Sequence, residues 1–383
     1  MQILQAVWPR CTPRPFSIFQ TAMAPGKKKQ IRRKRGLITA YEVANLAGVS
    51  QSAVSRTFTF GASVSERTRE KVIKAAKKLN YRPNLIARSL STRRSDMVGV
   101  IVPPLENHFY PEMLEALSAE LARTGRRMLL FTSQRNSSVE PILEDVLHAR
   151  VDALVMVAAS VSSHFAEECQ KIGLPIVLLN RKTDGKSVSS VTSSNKDGGA
   201  VIARFLIAGG HKRFAYVAGL ESSSTNRDRE EAFVEVLSQH GHDLFARGVG
   251  DYSFDRAAEV ARQMLGATQR PDAVFCANDH MALAFINVAK AEFNLAVGKD
   301  ISVVGFDDAE MSRWPLFDLT TFAQPLPKMV EQVARIIDNQ LAGAKVAPEI
   351  VVPGELVVRR SSRLPKAGIS GPSTRRIWIP PAG

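Results

Sequence analysis

Hydrophobic positions change their period along this chain. Between Ala40 and Leu79 they recur at helical spacing; from Met97 onward they gather into short apolar runs separated by amphipathic stretches. In the first region Val43, Leu46, Val49 and Val54 mark the inner side of two short helices joined around Gly48. Ala44 is small enough for the second helix to lie across the first, and Gly48 gives the turn its backbone freedom. Ser50 reads as the N-cap of the second helix, leaving Gln51, Ser52, Ser55 and Arg56 facing outward. A third helix is predicted from about Glu66 to Asn80, capped by Ser65, with Glu66 at its positive end and Lys77 and Lys78 near its negative end. Val72, Ile73, Ala76 and Leu79 give it one apolar face that closes a three-helix core, and Pro83 ends the helical region. Two short helices around such a turn form a helix-turn-helix, a unit whose usual task is to read DNA.

The second region reads differently. MVGVIVP, RMLLFTS, ALVMVA, IVLLN, FAYVAG, AVFCAND and ISVVGFDD are apolar without polar alternation, as expected of parallel strands covered on both faces. Helical stretches at 111–124, 199–208, 229–240 and 254–265 separate some of them, which predicts a doubly wound α/β architecture. Polar residues collect just after the runs: Asn107 to Tyr110, Asn180 and Arg181, Arg227 to Arg229, Asn278 and Asp279, and Asp307 and Asp308. Ligands bind outside the carboxyl ends of strands in such sheets, so these residues point to a small-molecule site.

Charge divides the chain in the same place. Residues 1–95 hold 20 Lys and Arg against three Glu and no Asp, while the other 288 hold 31 basic and 34 acidic residues, so the formal charge of +14 is an N-terminal property. That footprint suits a polyanion, because each phosphate neutralised releases condensed counterions. Cys11, Cys169 and Cys276 lie far apart with no metal-ligand spacing and no disulfide framework, which fits a cytoplasmic protein. No run approaches the roughly 18 apolar residues of a membrane span. Pro9, Pro13 and Pro15 make the first 22 residues a poor signal peptide, and Met23 offers an alternative start. Residues 1–36, including the run KKKQIRRKR, read as a disordered basic extension.

Between the two regions, NLIARSLSTRRS alternates Leu85, Ala87 and Leu90 with Arg88, Arg93 and Arg94. Composition alone favours a plain linker over a segment that folds on DNA with Leu90 as a minor-groove wedge.

Taken in order, YEVANLAGVSQSAVSR, VSERTREKV and LNYRPNLIARSL resemble the DNA-binding headpiece and hinge of the lactose-repressor/galactose-repressor family, and the resemblance continues to about Arg363. It implies a homodimer on a near-palindromic double-stranded operator, with the second helix of each copy in the major groove. Gln51, Ser52 and Arg56 then become base or groove contacts, with Ser50 and Ser55 beside them on the same surface. Gln51 can pair an adenine edge, and Arg56 a guanine edge or a phosphate. Tyr41 and Asn84 match phosphate-contacting positions, and Ala87 and Leu90 lie in the hinge, where Leu90 matches an intercalating leucine. The run Arg56 to Phe60 departs from the family, which more often has an aliphatic pair followed by Asn.

The body is similar to the two-lobed fold these regulators share with periplasmic binding proteins. The resemblance implies lobes at 96–194 plus 325–345 and at 195–324 plus 346–363. It places Asn278, Asp307 and Arg229 at effector-contacting positions, Asn180 at a polar contact, Tyr252 at a stacking aromatic, and Phe109 and Tyr110 at lining positions. Asp279 and Asp308 read as structural, Asn107 and Arg227 divide evenly between pocket and rim, and Trp314 reads as packing in the core or hinge. Ser194 stands where the family usually has Asp.

The organisation expected is therefore an extension (1–36), a headpiece (37–82), a hinge (83–95), a sensing and dimerising body (96–363) and a flexible tail (364–383). The tail lacks Leu heptads, which leaves a dimer as the default. The function expected is a cytoplasmic, ligand-responsive transcriptional regulator, most readily a repressor, with a sugar or sugar derivative as effector. It is expected to have no enzymatic activity, cofactor, metal or membrane contact. A periplasmic-type sugar-binding protein is the alternative, and it leaves the headpiece idle. Effector identity and the sign of the response stay open.

Overall fold

The computed structural model describes residues 38–58, 62–82, 94–133, 140–158, 163–183, 188–344 and 348–381. The expected extension (1–36) and, within the expected hinge, residues 83–93 with Asn84, Ala87 and Leu90 lie outside them. The described residues fall into two compact units, divided between Pro83 and Asn84.

The first unit contains α1 (Ala40–Ala47), α2 (Gln51–Thr57) and α3 (Glu66–Leu79). Glu42 closes the start of α1 by accepting the Thr39 N–H at 2.8 Å, a capping box that gives the short helix a fixed entry. Gly48 follows at φ +65°, a conformation that favours glycine, and Ser50 Oγ accepts the Ala53 N–H at 3.2 Å to start α2. Val43, Ala44, Val54, Val72, Ala75 and Ala76 are the buried core. Two expected core positions fall outside it: Leu46 is 45% exposed and Ile73 38%, and Ala75 takes the inward place on α3. Ser65 stands at the α3 N-cap, but its hydroxyl donates to Thr68 Oγ1 rather than capping a backbone N–H.

The second unit has two sheets. The first is wholly parallel, in the order β11 (Glu349–Val352), β5 (Ser189–Ser193), β4 (Ile176–Leu179), β3 (Ala153–Val157), β1 (Met97–Val102), β2 (Arg127–Thr132). Period-2 alternation divides its strands between two apolar layers: Val98, Val100, Val155, Val177 and Leu179 pack on one face, and Ile101, Leu154, Met156 and Leu178 on the other. Both faces are apolar because helices cover both. α4 (Phe109–Arg123) and α11 (Leu326–Leu341) cover one, and α5 (Glu140–Ala149) and α6 (Ser163–Lys171) the other.

The second sheet runs β13 (Ile369–Ser370), β14 (Arg376–Trp378), β12 (Glu355–Val358), β10 (Thr320–Ala323), β9 (Ser302–Asp307), β8 (Ala273–Cys276), β6 (Phe214–Ala218), β7 (Leu244–Val249). Strands β6 to β10 are parallel; β12, β14 and β13 extend the edge in antiparallel register. α7 (Asn195–Ala208), α8 (Ser224–Gln239), α9 (Phe254–Gly266) and α10 (Asp279–Ala291) complete this lobe.

Two expectations change. Residues 349–352 belong to the first lobe, so the last crossover falls at Pro353–Gly354 rather than at 346. The expected flexible tail instead contributes β13 and β14. Trp378 is buried, its ring 5.6 Å from that of Phe205, and its indole N–H donates to the Ala367 carbonyl at 3.0 Å. An aromatic with a satisfied N–H and a paired strand hold this segment to the lobe.

The lobes exchange chain at Ser194, at Gln324–Pro325 and at Pro353–Gly354. Ser194 binds the third crossover directly: its N–H donates to the Val352 carbonyl at 3.0 Å and its hydroxyl accepts the Gly354 N–H at 3.2 Å. Serine at this position thus ties two crossovers together.

Candidate nucleic-acid interface and effector cleft

On the first unit, Tyr41, Ser50, Gln51, Ser52, Ser55 and Arg56 are all exposed, and four of them lie on α2. The side chains that hold α2 are the ones turned inward. Ala53 and Val54 are buried, and Thr57 donates its hydroxyl to the Ala53 carbonyl at 2.8 Å. Arg69 of α3 donates to the Thr57 carbonyl at 3.3 Å, and the Phe58 ring lies 5.9 Å from that of Tyr81. The departure at Thr57–Phe58 is therefore absorbed in packing. A short helix with polar side chains outward and a cation, Arg56, near its end is shaped to enter a groove and meet phosphates.

In the second unit one cavity is bordered from both lobes. Asn107 and Tyr110 follow β1, Ala158 follows β3, and Asn180 and Arg181 follow β4; Thr225 and Arg229 lie on α8, Tyr252 follows β7, Asn278 follows β8 and Asp307 ends β9. All of these except Asp307 sit beyond strand carboxyl ends, as the strand pattern requires. Its volume is about 20 Å³, room for about one water. A sugar-sized ligand enters only when the lobes part.

The backbone at these strand ends is unusual. Ala158 (φ 48°), Asn180 (61°), Tyr252 (56°) and Asp307 (133°) all have positive φ, and Asp251 and Asp308 do too. Each such residue costs on the order of 1–3 kcal/mol, and clusters of them mark ligand clamps. Tyr252 lies flat on Gly219, where an added Cβ would meet its ring at 2.1 Å. Its hydroxyl lies 3.3 Å from Thr225 Oγ1 and 3.4 Å from Ser223 Oγ.

Arg229 is 2% exposed, and its placement explains why. Nε donates to Asn195 Oδ1 at 2.8 Å, Nη1 donates to the Ala277 carbonyl at 2.5 Å and lies 3.9 Å from Asp307 Oδ1, and Phe306 stacks at 3.5 Å from the guanidinium. Burial pushes the Asp307 carboxyl up to about 7, opposed by Arg229 and by a hydrogen bond from Gln324. Burial likewise raises the Tyr110 phenol, which stays a neutral donor. Asn180 Oδ1 is buried without a partner, an acceptor that a ligand hydroxyl can satisfy. Asn278 Oδ1 already accepts the Met281 N–H at 3.0 Å and caps α10, which leaves its amide N–H groups for a ligand.

The structure separates some expected residues from the cleft. Phe109 is a correction: it points into the apolar core of the first lobe, while its neighbour Tyr110 reaches the cavity. Adjacent helical residues differ by about 100° of rotation, and spacing alone cannot tell which of two adjacent aromatics faces the ligand. Trp314 is 47% exposed, neither core nor hinge packing. Asn107 borders the cavity, whereas Arg227 is exposed and donates to the Ser222 carbonyl at 3.0 Å. Asp279 accepts from Thr321 Oγ1 at 2.5 Å and from the Ala309 N–H at 2.9 Å. Asp308 is gripped by Arg359, Arg313 and Arg375 at 2.5, 3.1 and 3.3 Å. Sequence reasoning grouped Arg181 with the strand-end residues that point to a ligand but gave it no effector contact, and it assigned no role to Thr225 or Gln324. Arg181 stands at a strand end and was therefore legible; Gln324 lies on a crossover and carries no local signal.

Comparison with known proteins agrees with this architecture. Residues 39–84 match the bacterial regulatory proteins of the lacI family, and residues 203–362 match a periplasmic binding protein-like domain. The chain is 29% identical to catabolite control protein A of Priestia megaterium, over 85% of this chain and 99% of that protein. It is 30% identical to the ribose operon repressor of Lactococcus lactis subsp. lactis, over 79% of this chain and 90% of that one. Among solved structures it is similar to the lac repressor dimer bound to operator and the anti-inducer ONPF, with a TM-score of 0.74 and 30% identity over 85% of this chain and 99% of that chain. A headpiece with α2 presenting polar side chains, a two-lobed body with a cleft, and these likenesses over nearly the full length of each relative lead to one conclusion: the chain belongs to the lacI family of bacterial regulatory proteins.

Proposed function

We propose that this chain is a sequence-specific transcriptional repressor whose operator affinity is set by a small molecule, a sugar or sugar derivative held between the lobes of the body. The observation that carries the reading is the presence in one chain of an exposed polar α2 and a cleft bordered from both lobes. In this reading Gln51, Ser52 and Arg56 meet base edges or phosphates, supported by Ser50, Ser55 and Tyr41. Arg229, Asp307, Asn180, Asn278, Tyr110 and Tyr252 hold the effector. Carboxylate and amide groups grip hydroxyls, a guanidinium adds fixed donors, and aromatic faces cover the apolar side of a ring.

The mechanism is linkage. A ligand that binds better to one arrangement of the lobes shifts the population toward it, and a dimer reads that arrangement at its DNA-contacting ends. We read the chain as a cytoplasmic homodimer without a cofactor or enzymatic activity. The two carboxylates that adjoin in sequence support this last point, because Asp307 turns to Gln324 and Asp308 to three arginines, so they do not pair for acid–base work. Among the described residues no helix is long and apolar enough to cross a membrane.

A gel-shift comparison of the full chain on a palindromic site selected from random duplexes and on a scrambled copy tests this reading. Tighter binding to the selected site, by about a thousandfold or more, is the expected result. Equal affinity for both would reduce the headpiece to a non-specific polyanion binder.

A further inference from the structure

The strands β13 and β14 lie beyond the family-matched residues 203–362, yet they are built onto the strands that feed the crossovers. β14 pairs with β12 through Leu356–Trp378, Val357–Ile377 and Val358–Arg376, and β12 pairs with β10 through Ala323–Glu355. β10 ends at Ala323, immediately before the crossover at Gln324, and β12 starts at Glu355, immediately after the one at Gly354. One side chain carries this hairpin toward the cleft. The Arg375 N–H donates to the Pro372 carbonyl at 2.9 Å, a turn that sets Arg375 just before β14. Arg375 donates to Glu355 Oε1 from Nε at 3.0 Å and from Nη2 at 2.7 Å, and to Asp308 Oδ2 from Nη1 at 3.3 Å. It joins the first residue after a crossover to the neighbour of the cleft carboxylate. Arg375 and Arg313 hold Asp308 Oδ2, while Arg359 and Ser312 hold Oδ1. Asp307 and Asp308 both have positive φ, a backbone that persists only where its surroundings over-determine it. The aim of the Asp307 carboxylate follows from that backbone, and the grip on Asp308 is what holds it.

We infer that Arg375 is a positioning residue of the effector site: through Asp308 it fixes the carboxylate of Asp307, and with Glu355 it makes the C-terminal hairpin a brace for the second lobe at its crossovers. The inference rests on the reading of this cleft as the effector site. Arg375 does not border the cavity, so its effect on a ligand passes through Asp308. A binding group keeps its geometry only when the residues behind it are themselves held.

The test uses the full chain with Arg375→Ala and Arg375→Lys, read in two ways. Amide hydrogen exchange needs no ligand: Arg375→Ala should speed exchange over residues 305–311 and leave the rest of the second lobe unchanged. The other reading uses D-ribose, D-glucose, D-galactose, D-gluconate, D-glucuronate and glucose 6-phosphate. Thermal shift finds the binders, since a ligand held by the folded state raises apparent stability by mass action, and calorimetric titration measures affinity. The Arg375 side chain is 46% exposed and its contacts are correspondingly modest, so Arg375→Ala should weaken the best of these ligands by about three- to tenfold. Its melting temperature should stay within about two degrees of the original. Arg375→Lys, which keeps a cation beside Asp308, should fall between the two. If Arg375→Ala does not fold, Arg375→Lys is read against the unaltered chain in the same two ways.

Unchanged ligand affinity in a folded Arg375→Ala protein would overturn the inference and leave the effector cleft intact. Exchange that rises evenly across the second lobe, or does not rise over 305–311, would overturn it too. Stabilisation of the unaltered chain by none of these sugars would count against the effector reading itself, and exchange over 305–311 would then decide alone whether Arg375 fixes the Asp307 segment.

Discussion

Gln324 donates from its side-chain amide to Asp307 Oδ1 at 2.7 Å, joining a crossover between the lobes to the carboxylate of the cleft. The backbone repeats the link, since the Gln324 N–H donates to the Asp307 carbonyl at 3.2 Å. A change in the angle between lobes turns about the crossovers, so it must also act on the group that the ligand meets. Asp307 is in this sense part of the hinge as well as of the cleft.

Replacing Gln324 with Leu should therefore weaken effector binding by about tenfold, with operator binding in the absence of effector largely kept. One buried hydrogen bond to a charged group is worth about 1.5–3 kcal/mol. Calorimetric titration of the variant checks it, and an unchanged affinity would show that the contact is only packing.

The raised Asp307 carboxyl gives a pH signature. Its pKa in the folded protein is about 7, well above the ordinary value of 3.8, so between those values the folded state holds a proton that the unfolded state has lost. Stability from this group is full at low pH and declines as pH rises toward 7. Asp307→Asn removes the dependence and keeps an acceptor for Gln324. The variant's melting temperature should exceed that of the unaltered chain by an amount that grows from about pH 4 to 7, reaches a few degrees, and then levels off. A constant difference across that range would mean that Asp307 is ionised throughout.

Trp378 should matter to the fold rather than to recognition. Trp378→Ala removes a buried ring packed on Phe205 and should cost about 3–5 kcal/mol, read as a lower melting temperature of the body. A melting temperature within a degree of the original would restore the flexible tail expected from composition.

That tail shows what was hidden in the chain. Residues 364–383 are rich in Pro, Gly and Ser, and their strands are only two and three residues long, too short to produce a pattern. β5 was equally invisible: SSVTS has one apolar residue, yet the whole strand is buried. One of its serines, Ser189, accepts from Gln340 of α11 at 2.8 Å, a long-range partner that no local window contains. Strands with branched apolar runs such as ALVMV were plain, because burial on both faces demands that composition. The cleft was legible in the same measure. Strand-end position exposed Asn180, Asn278 and Asp307, and the family resemblance pointed to Arg229 on α8, whereas choosing Tyr110 over Phe109 needed the rotation of one helix.

In the headpiece, Ser50→Ala should destabilise the unit by about 1 kcal/mol through loss of the α2 cap. Gln51→Ala should leave its stability unchanged, because Gln51 is exposed, and relax base preference at one or two operator positions. Binding-site selection with the Gln51→Ala protein distinguishes the two roles; an unaltered consensus would remove Gln51 from the reading surface.

In the proposed mechanism a ligand in the cleft controls DNA binding, and fluorescence anisotropy of the selected operator measures that control directly. The ligand found by thermal shift should change operator affinity of the unaltered chain by about 5–150-fold. Arg229→Ala, confirmed as folded by circular dichroism, should bind operator with the original affinity and lose that response. A full response in the Arg229→Ala protein, or no effect of a cleft-bound ligand on the unaltered one, would contradict the account.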